Sequence, residues 1–468
     1  MSLPSGFGGG GGYTSSKGDK GLALPLLETL RLAWGDPELK GRILFVLYMF
    51  AVFALGVHVP VPVPGFSSER VLDTLKGLPV FDYMDLIGGG ALRKLSVFAL
   101  GLNPYITASI IIQILTTAFP NLKKEMQEGG EYARRQQNKR TRFLTLALCI
   151  IQGGGLLSLL KSAPAIAAIP LGYQAIIILF WTTGSMFMLW IGEQISERGI
   201  GNGVSLMIFA GIVLSLPRQA DHLMQGVKDG VVHFWSPIII ILIFLGATWF
   251  IVYFTTAQRR IPIQHMRRQV GTKVLGGQTS YLPLSVNMAG VLPIIFAVSL
   301  VQLPHQFGLM FGGDKNAIGH FFTQFATYLN PAASAPVAPW LPLPKGIIGS
   351  IFYTALIFFF TYFWTAIQYN VEDISNNLKR GGSFIPGVRP GKQTKDFLDG
   401  VISRITIVGA GFIAVVALMQ YIAPVIAAIP PGTYISIIGG TSLLIMVSVA
   451  LETMRQIEAN LLMKQYGQ

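Results

Sequence analysis

Cysteine is almost missing. Cys149 is the single cysteine among 468 residues, which excludes an intrachain disulfide and any cysteine-based metal cluster. Set within an apolar run, it reads as a small buried side chain rather than a reactive thiol. The six histidines do not cluster at ligand spacing, so metal chemistry has no support. Charge is scarce as well: 12% of the residues are charged, against about 25% in ordinary soluble domains. A phosphate loop is lacking too. The run Gly387-Val388-Arg389-Pro390-Gly391-Lys392-Gln393 puts three residues between its glycines where the motif needs four, follows its lysine with Gln393, and loses a backbone N–H at Pro390. With no catalytic triad, no paired-carboxylate signature and no cofactor implied, the chain reads as a non-enzyme. Residues 1–20 lack the apolar core of a cleavable signal peptide, and the glycines at Gly8–Gly12 give this segment the composition of a disordered tail.

What is abundant is apolar sequence: 51% of the residues are hydrophobic and the mean hydropathy is +0.55. A helix needs about 20 residues to cross a hydrocarbon core. Ten runs suit that task, near Ile43–Pro60, Leu95–Thr117, Phe143–Leu160, Ala175–Ile191, Val204–Leu216, Phe234–Phe254, Val286–Leu303, Gly346–Tyr369, Ile405–Pro424 and Tyr434–Leu451. The fifth is short, which suggests a helix packed inside protein. An even number of spans puts both termini on one side. Segments 1–42, 118–142, 192–203, 255–285, 370–404 and 452–468 would then share a compartment, and they hold 26 of the 35 Lys and Arg. The positive-inside rule makes that compartment the cytoplasm.

The segment Gly88–Thr117, GGGALRKLSVFALGLNPYITASIIIQILTT, is apolar yet broken. It opens on three glycines, carries Arg93 and Lys94, and meets Asn103-Pro104 before its aliphatic half. Against lipid the freed backbone groups and both charges would lack partners, so this backbone must line a protected cavity. The pattern implies a pathway through the protein, in a channel or a carrier. A carrier, such as an ion-coupled secondary transporter, also uses broken helices. It ordinarily needs an intramembrane coupling group, whereas Glu193 and Glu452 lie at cytoplasmic span ends, and Asn103 and Gln113 of the second span are uncharged. A purely structural scaffold leaves the break unexplained.

Three cytoplasmic loops are basic. Residues 120–142 mix both signs of charge; residues 255–282 contain Arg259-Arg260 and Arg267-Arg268; residues 370–400 contain Lys379-Arg380, Arg389, Lys392 and Lys395. Each alone reads as a topology signal or a headgroup contact. The stiff GGSFIPGVRPGKQTKDF stretch raises the case for a soluble partner.

Five long blocks occur in order: GGALRKLSVFALGLNPYITASIIIQIL, WIGEQISERGIGNGVSLMIFAGIV at Trp190–Val213, LPLSVNMAGVLPIIFA at Leu282–Ala297, FIPGVRPGKQT at Phe384–Thr394 and GGTSLLIMVSVALE at Gly439–Glu452. Through them the sequence resembles the SecY/Sec61-alpha family, the channel-forming subunits of the Sec protein translocase, from about Leu39 to Gln465. The resemblance implies an all-α polytopic membrane protein with ten transmembrane helices in two pseudo-symmetric five-helix halves around a central hourglass pore. The chain would divide into a cytoplasmic tail and amphipathic segment (1–42), an N-terminal half (43–217), a C-terminal half (218–453) and a cytoplasmic tail (454–468). No internal repeat in the sequence shows this on its own.

The same resemblance implies the working parts. A plug would occupy about Ile87–Phe98, with Gly89, Gly90, Arg93, Lys94, Leu95 and Phe98, and its two charges would face the outer aqueous funnel. A pore ring would comprise Leu102, Ile106, Val204, Ile208, Ile295 and Ile445, with Leu102 and Val204 standing where isoleucine is common in the family. A lateral gate between the second and seventh spans would carry Asn103, Thr107, Gln113 and Asn287. Arg259, Arg260, Lys273, Lys379, Arg380, Arg389 and Lys392 would dock the SecA motor ATPase and the ribosome. SecE and SecG are the implied membrane subunits. Unfolded precursors and signal sequences are the implied passengers, membrane lipid receives their apolar segments, and a bacterial inner (plasma) membrane is the implied location.

Overall fold

The computed structural model describes residues 26–63, 85, 88–160, 169–265, 268–270, 273–275, 279–310, 316–331, 336–338, 341–429 and 440–466. The expected glycine tail, Ile87 of the expected plug, Arg267 and the side chain of Lys273 lie outside the described residues.

Helix α1 (Leu26–Gly35) and α2 (Pro37–Val57) meet at Asp36. The Asp36 carboxylate accepts from the N–H groups of Glu38 and Leu39, and Pro37 supplies a preset first helical residue, so the sequence itself starts α2. The apolar helices that follow are α3 (Asn103–Ala118), α5 (Gly130–Leu160), α6 (Leu171–Arg198), α7 (Gly203–Lys228) and α8 (Ser236–Thr256), with the short α4 (Pro120–Glu128) after α3. Helix α3 stops at Phe119, which is extended because Pro120 follows it. Asn202 caps α7 through the N–H groups of Val204 and Ser205.

After α8 come strands β1 (Gln258–His265), β2 (Arg268–Val270), β3 (Lys273–Leu275) and β4 (Thr279–Ser285). Then come α9 (Leu292–Met310), α10 (Ala317–Leu329), β5 (Pro336–Ala338), β6 (Leu341–Pro344), α11 (Lys345–Gln368), α12 (Val371–Arg380), β7 (Ser383–Phe384), α13 (Lys392–Ile426) and α14 (Gly440–Tyr466). Each of the ten expected runs overlaps one helix: α2, α3, α5 to α9, α11, α13 and α14. Seven of them, α2, α5, α6, α7, α8, α11 and α13, are by themselves long and apolar enough to cross a membrane.

Three local expectations change. The short fifth run is the first half of a 26-residue helix that continues through Pro217, its apolar stretch ending where Arg218, Asp221 and His222 begin. Residues 88–102 are turns, and helix begins only at Asn103. The basic segment after α8 is not a loop: β1 pairs antiparallel with β4, from Gln258↔Ser285 to Gln264↔Thr279, and β7 adds on the other edge through Gln264↔Phe384. That sheet rests on Ile261, Leu284, Ile385, Leu398 and Ile402.

Helix α3 packs on α5, α5 on α6, α6 on α2 and α7; a second set joins α9 to α11, α11 to α13, and α8 to α13 and α14. The sets meet where α7 touches α14 and where α9 lies against α5 and α3. One apolar cluster runs through the junction, drawing on α2, α3, α6 to α9, α11, α13 and α14. Outward-facing apolar side chains such as Leu55, Leu242, Trp249, Ile351 and Phe359 suit hydrocarbon rather than water.

Candidate functional site

Leu102 is the N-cap of α3, and Ile106 lies one turn on, its N–H donating to the Leu102 carbonyl at 3.0 Å. Val204 and Ile208 occupy the first two turns of α7, Ile295 the first turn of α9 and Ile445 the second turn of α14. Each i, i+4 pair projects from one helix face. Leu102, Ile106, Ile208, Ile295 and Ile445 are at most 8% exposed and share one cluster, with Val204 packed against it. Four helices from both packing sets thus bring branched aliphatics together. A passage bounded by such side chains dewets and resists ions, while the side chains move aside for a larger apolar body.

Residues 88–102 sit beside these residues, with Ala91 and Phe98 in the same apolar cluster. Gly89, Gly90 and Gly101 have φ of +68°, +88° and +60°, values that need glycine. Leu95 adopts φ +49° while 1% exposed; such a conformation costs about 1–3 kcal/mol and persists because the surroundings hold it. Those surroundings are specific. Val61 N–H donates to the Leu95 carbonyl at 3.1 Å, and Val97 N–H to the Val59 carbonyl at 3.0 Å. Leu92, Leu95, Ala99 and Leu100 pack with Cys149, Leu156, Ile177 and Trp181 of α5 and α6. Phe98 stacks on Phe53 and Phe187, each at 6.1 Å. Gly184 of α6 leaves room for the Val97 carbonyl, which any Cβ there would strike.

The charge inside this segment is paired. The backbone N–H and Nε of Arg93 lie 3.1 and 3.2 Å from the Asp85 carboxylate, and Arg218 Nη2 of α7 lies 2.8 Å from it. Asp85 is a residue of this arrangement that the sequence alone did not single out. Its only signal is an acid eight residues ahead of a basic apolar segment, and Arg218 is 133 residues away. Lys94 is half-buried next to this group.

The expected gate residues are polar side chains on α3 and on the segment that leads into α9. Asn103 is 9% exposed, and its carbonyl accepts from Thr107 Oγ1 at 3.0 Å; Gln113 Nε2 donates to Ser109 Oγ at 3.0 Å. Asn287, also 9% exposed, precedes α9 and has neither side-chain atom hydrogen-bonded. The structure does not join Asn287 to Asn103, Thr107 or Gln113 through a hydrogen bond among the described residues.

The basic residues gather at the sheet end. Arg259 and Arg260 are exposed on β1, Lys379 and Arg380 end α12, and Arg389 and Lys392 are exposed on either side of Pro390. Lys273 lies on β3. The turn that presents Arg389 is fixed: Thr394 Oγ1 donates to the Arg389 carbonyl at 2.9 Å and Ser375 Oγ to the Gly391 carbonyl at 3.0 Å. The β1–β7 pairing brings both basic segments into one surface.

A helical membrane bundle whose two helix sets meet over a shared apolar cluster, with a folded non-helical segment beside it, is an architecture suited to a channel. The chain belongs to the SecY family, whose model matches residues 96–454. It is 37% identical over 449 residues to the protein translocase subunit SecY of Escherichia coli strain K12, covering 94% of this chain and 96% of that one. A solved SecY channel, in which the plug domain stabilises the closed state and maintains a membrane seal, superposes with a TM-score of 0.64 at 17% identity, covering 94% and 98% of the two chains. Sec61 from a canine ribosome-channel complex superposes with a TM-score of 0.62 at 16% identity, again covering 94% and 98%. The chain is a protein-conducting channel subunit of a protein translocase, a membrane protein and not an enzyme in its own right. The transporter alternative gains no support from these relatives.

Proposed function

We propose that the constriction is the ring formed by Leu102, Ile106, Val204, Ile208, Ile295 and Ile445, and that residues 88–98 are the plug seated against it. The two packing sets stand for the expected halves 43–217 and 218–453, with the boundary moved from inside α7 to its end at Lys228, and they part between α3 and α9 to release apolar segments into lipid. Asn103, Thr107, Gln113 and Asn287 lower the cost of parting, because polar side chains on those faces exchange partners with lipid-borne or precursor groups at little loss. Both termini and the sheet face the cytoplasm of a bacterial inner membrane. There Arg259, Arg260, Lys273, Lys379, Arg380, Arg389 and Lys392 receive the SecA motor and the ribosome, while SecE and SecG complete the membrane complex. The observation that carries this reading is the meeting of five buried branched aliphatics from α3, α7, α9 and α14 in one cluster.

The test is export of a radiolabelled secretory precursor into vesicles that contain this chain with SecE and SecG. Protease-protected precursor that requires both SecA and ATP supports the reading. Protection that is independent of SecA and ATP, or none with an assembled complex, overturns it.

A further inference from the structure

We propose that Asp85 and Arg218 form a releasable latch that fastens the plug to α7, so that both are positioning residues for the closed channel; this rests on reading residues 88–98 as the plug. Asp85 belongs mechanically to the plug. Its carbonyl accepts the Gly90 N–H at 2.8 Å and its carboxylate accepts the Arg93 N–H at 3.1 Å, which ties Asp85 to both Gly90 and Arg93. Arg218 belongs to α7, and its Nη2 reaches the same carboxylate at 2.8 Å. The carboxylate side chain is 5% exposed and the two guanidinium side chains are 32% and 30% exposed, so the acid is buried between cations that keep contact with water.

The geometry explains why two arginines serve one acid. If the plug leaves, Arg93 travels with Asp85 while the Arg218 contact to the carboxylate breaks. The carboxylate is never left as an unpaired buried charge, the most costly outcome for a single pair, and Arg218, already partly exposed, gains water. Gly90 completes the latch: its φ of +88° suits glycine, and a Cβ there would run into the Arg218 guanidinium. The apolar packing of Leu92 and Leu95 seats the plug without regard to direction, whereas this ion pair exists only while the plug is in register with α7.

The experiment uses the assembled complex in proteoliposomes, carrying Ala91→Cys in a Cys149→Ser background. Ala91 is 0% exposed in the seated plug, so its labelling by a membrane-impermeant maleimide reports release. Arg218→Gln leaves Asp85 paired with Arg93 and is the cleaner variant; Asp85→Asn is the second. Each is expected to raise the resting labelling rate roughly five- to tenfold, the size of one partly screened ion pair. The double variant should add nothing further, and Arg218→Lys should recover part of the closure. A precursor stalled in the pore supplies the positive control. Labelling that rises with stalled precursor but stays at the wild-type rate in both variants overturns the latch and leaves the plug standing. Labelling that never rises with stalled precursor overturns the plug, and the latch with it.

Discussion

Ser185 Oγ of α6 donates to the carbonyl of Gly101 at 2.8 Å, joining the last turn before α3 to the middle of a long transmembrane helix. Gly101 needs its positive φ to turn the chain there, and Ser185 is 3% exposed, so no water replaces the bond readily. One residue earlier, Gly184 admits the Val97 carbonyl. Together these two small residues fix where the turns of residues 88–102 end and where helix α3 begins.

Ser185→Ala leaves the Gly101 carbonyl buried without its partner, a loss of about 1–3 kcal/mol, and Gly184→Val forces the Val97 carbonyl away. Both variants should lower the thermal midpoint of the complex and raise resting labelling of the Ala91→Cys reporter. Gly184→Val should have the larger effect, because the steric conflict is with backbone. Unchanged labelling in Gly184→Val would show that α6 does not position the segment.

Replacing Ile106, Ile208 and Ile295 by Ser hydrates the junction, since hydroxyls hold water that branched methyls repel. Planar-bilayer recording of the triple variant should show resting ion conductance well above that of the parent. Conductance at background from a folded, assembled variant would remove these residues from the seal.

Lys464 of α14 lies 2.8 Å from Asp36 and 2.8 Å from Glu38, closing the C-terminal helix onto the α1–α2 corner over Ala33, Leu39, Ile457 and Leu461. The Lys464 hydrogen bond, then the N–H groups of Glu38 and Leu39, hold the Asp36 carboxyl below its ordinary value of 3.8 against the opposing effect of desolvation. A depressed carboxylate stabilises the fold above its unfolded pKa and loses that contribution as pH falls through the folded one. Amide exchange along residues 454–464, taken relative to the intrinsic rate at each pH, should therefore stay slow from neutrality down to about pH 4 and quicken below it. Asp36→Asn should quicken it at neutral pH and flatten the dependence.

Arg389 stands before Pro390, which restricts it to extended backbone, and its carbonyl is tied down by Thr394, so the side chain is presented rather than folded back. A planar guanidinium fork is not reproduced by a lysine. Arg389→Glu should leave assembly and resting conductance intact and abolish SecA-driven export, with Arg389→Lys in between. Wild-type export from Arg389→Glu vesicles would place the motor elsewhere.

The apolar helices were legible because a stretch such as Ser236–Thr256 announces itself by composition, and the broken segment because glycine, charge and proline cannot face lipid together. The sheet was not. In β1, Ile261 and Ile263 alternate with Pro262 and follow two arginines, and its second partner β7 is two residues long, so local sequence gives no strand signal and pairing decides. The ring residues are ordinary branched aliphatics, separable from any other buried Ile only through family likeness or through the cluster they form. The Asp85–Arg218 pair was invisible for a simpler reason: its halves lie in different elements, and no local pattern couples them.

The most direct test of the conducting path is site-specific crosslinking from Ile208→Cys, set in a Cys149→Ser background, to a precursor stalled during export. A conducting path through the ring requires crosslinks from Ile208→Cys and from Ile106→Cys to the translocating stretch, and none from the outward-facing Trp249→Cys until an apolar segment has left through the gate. A stalled, protease-protected precursor that crosslinks to neither ring position would contradict it.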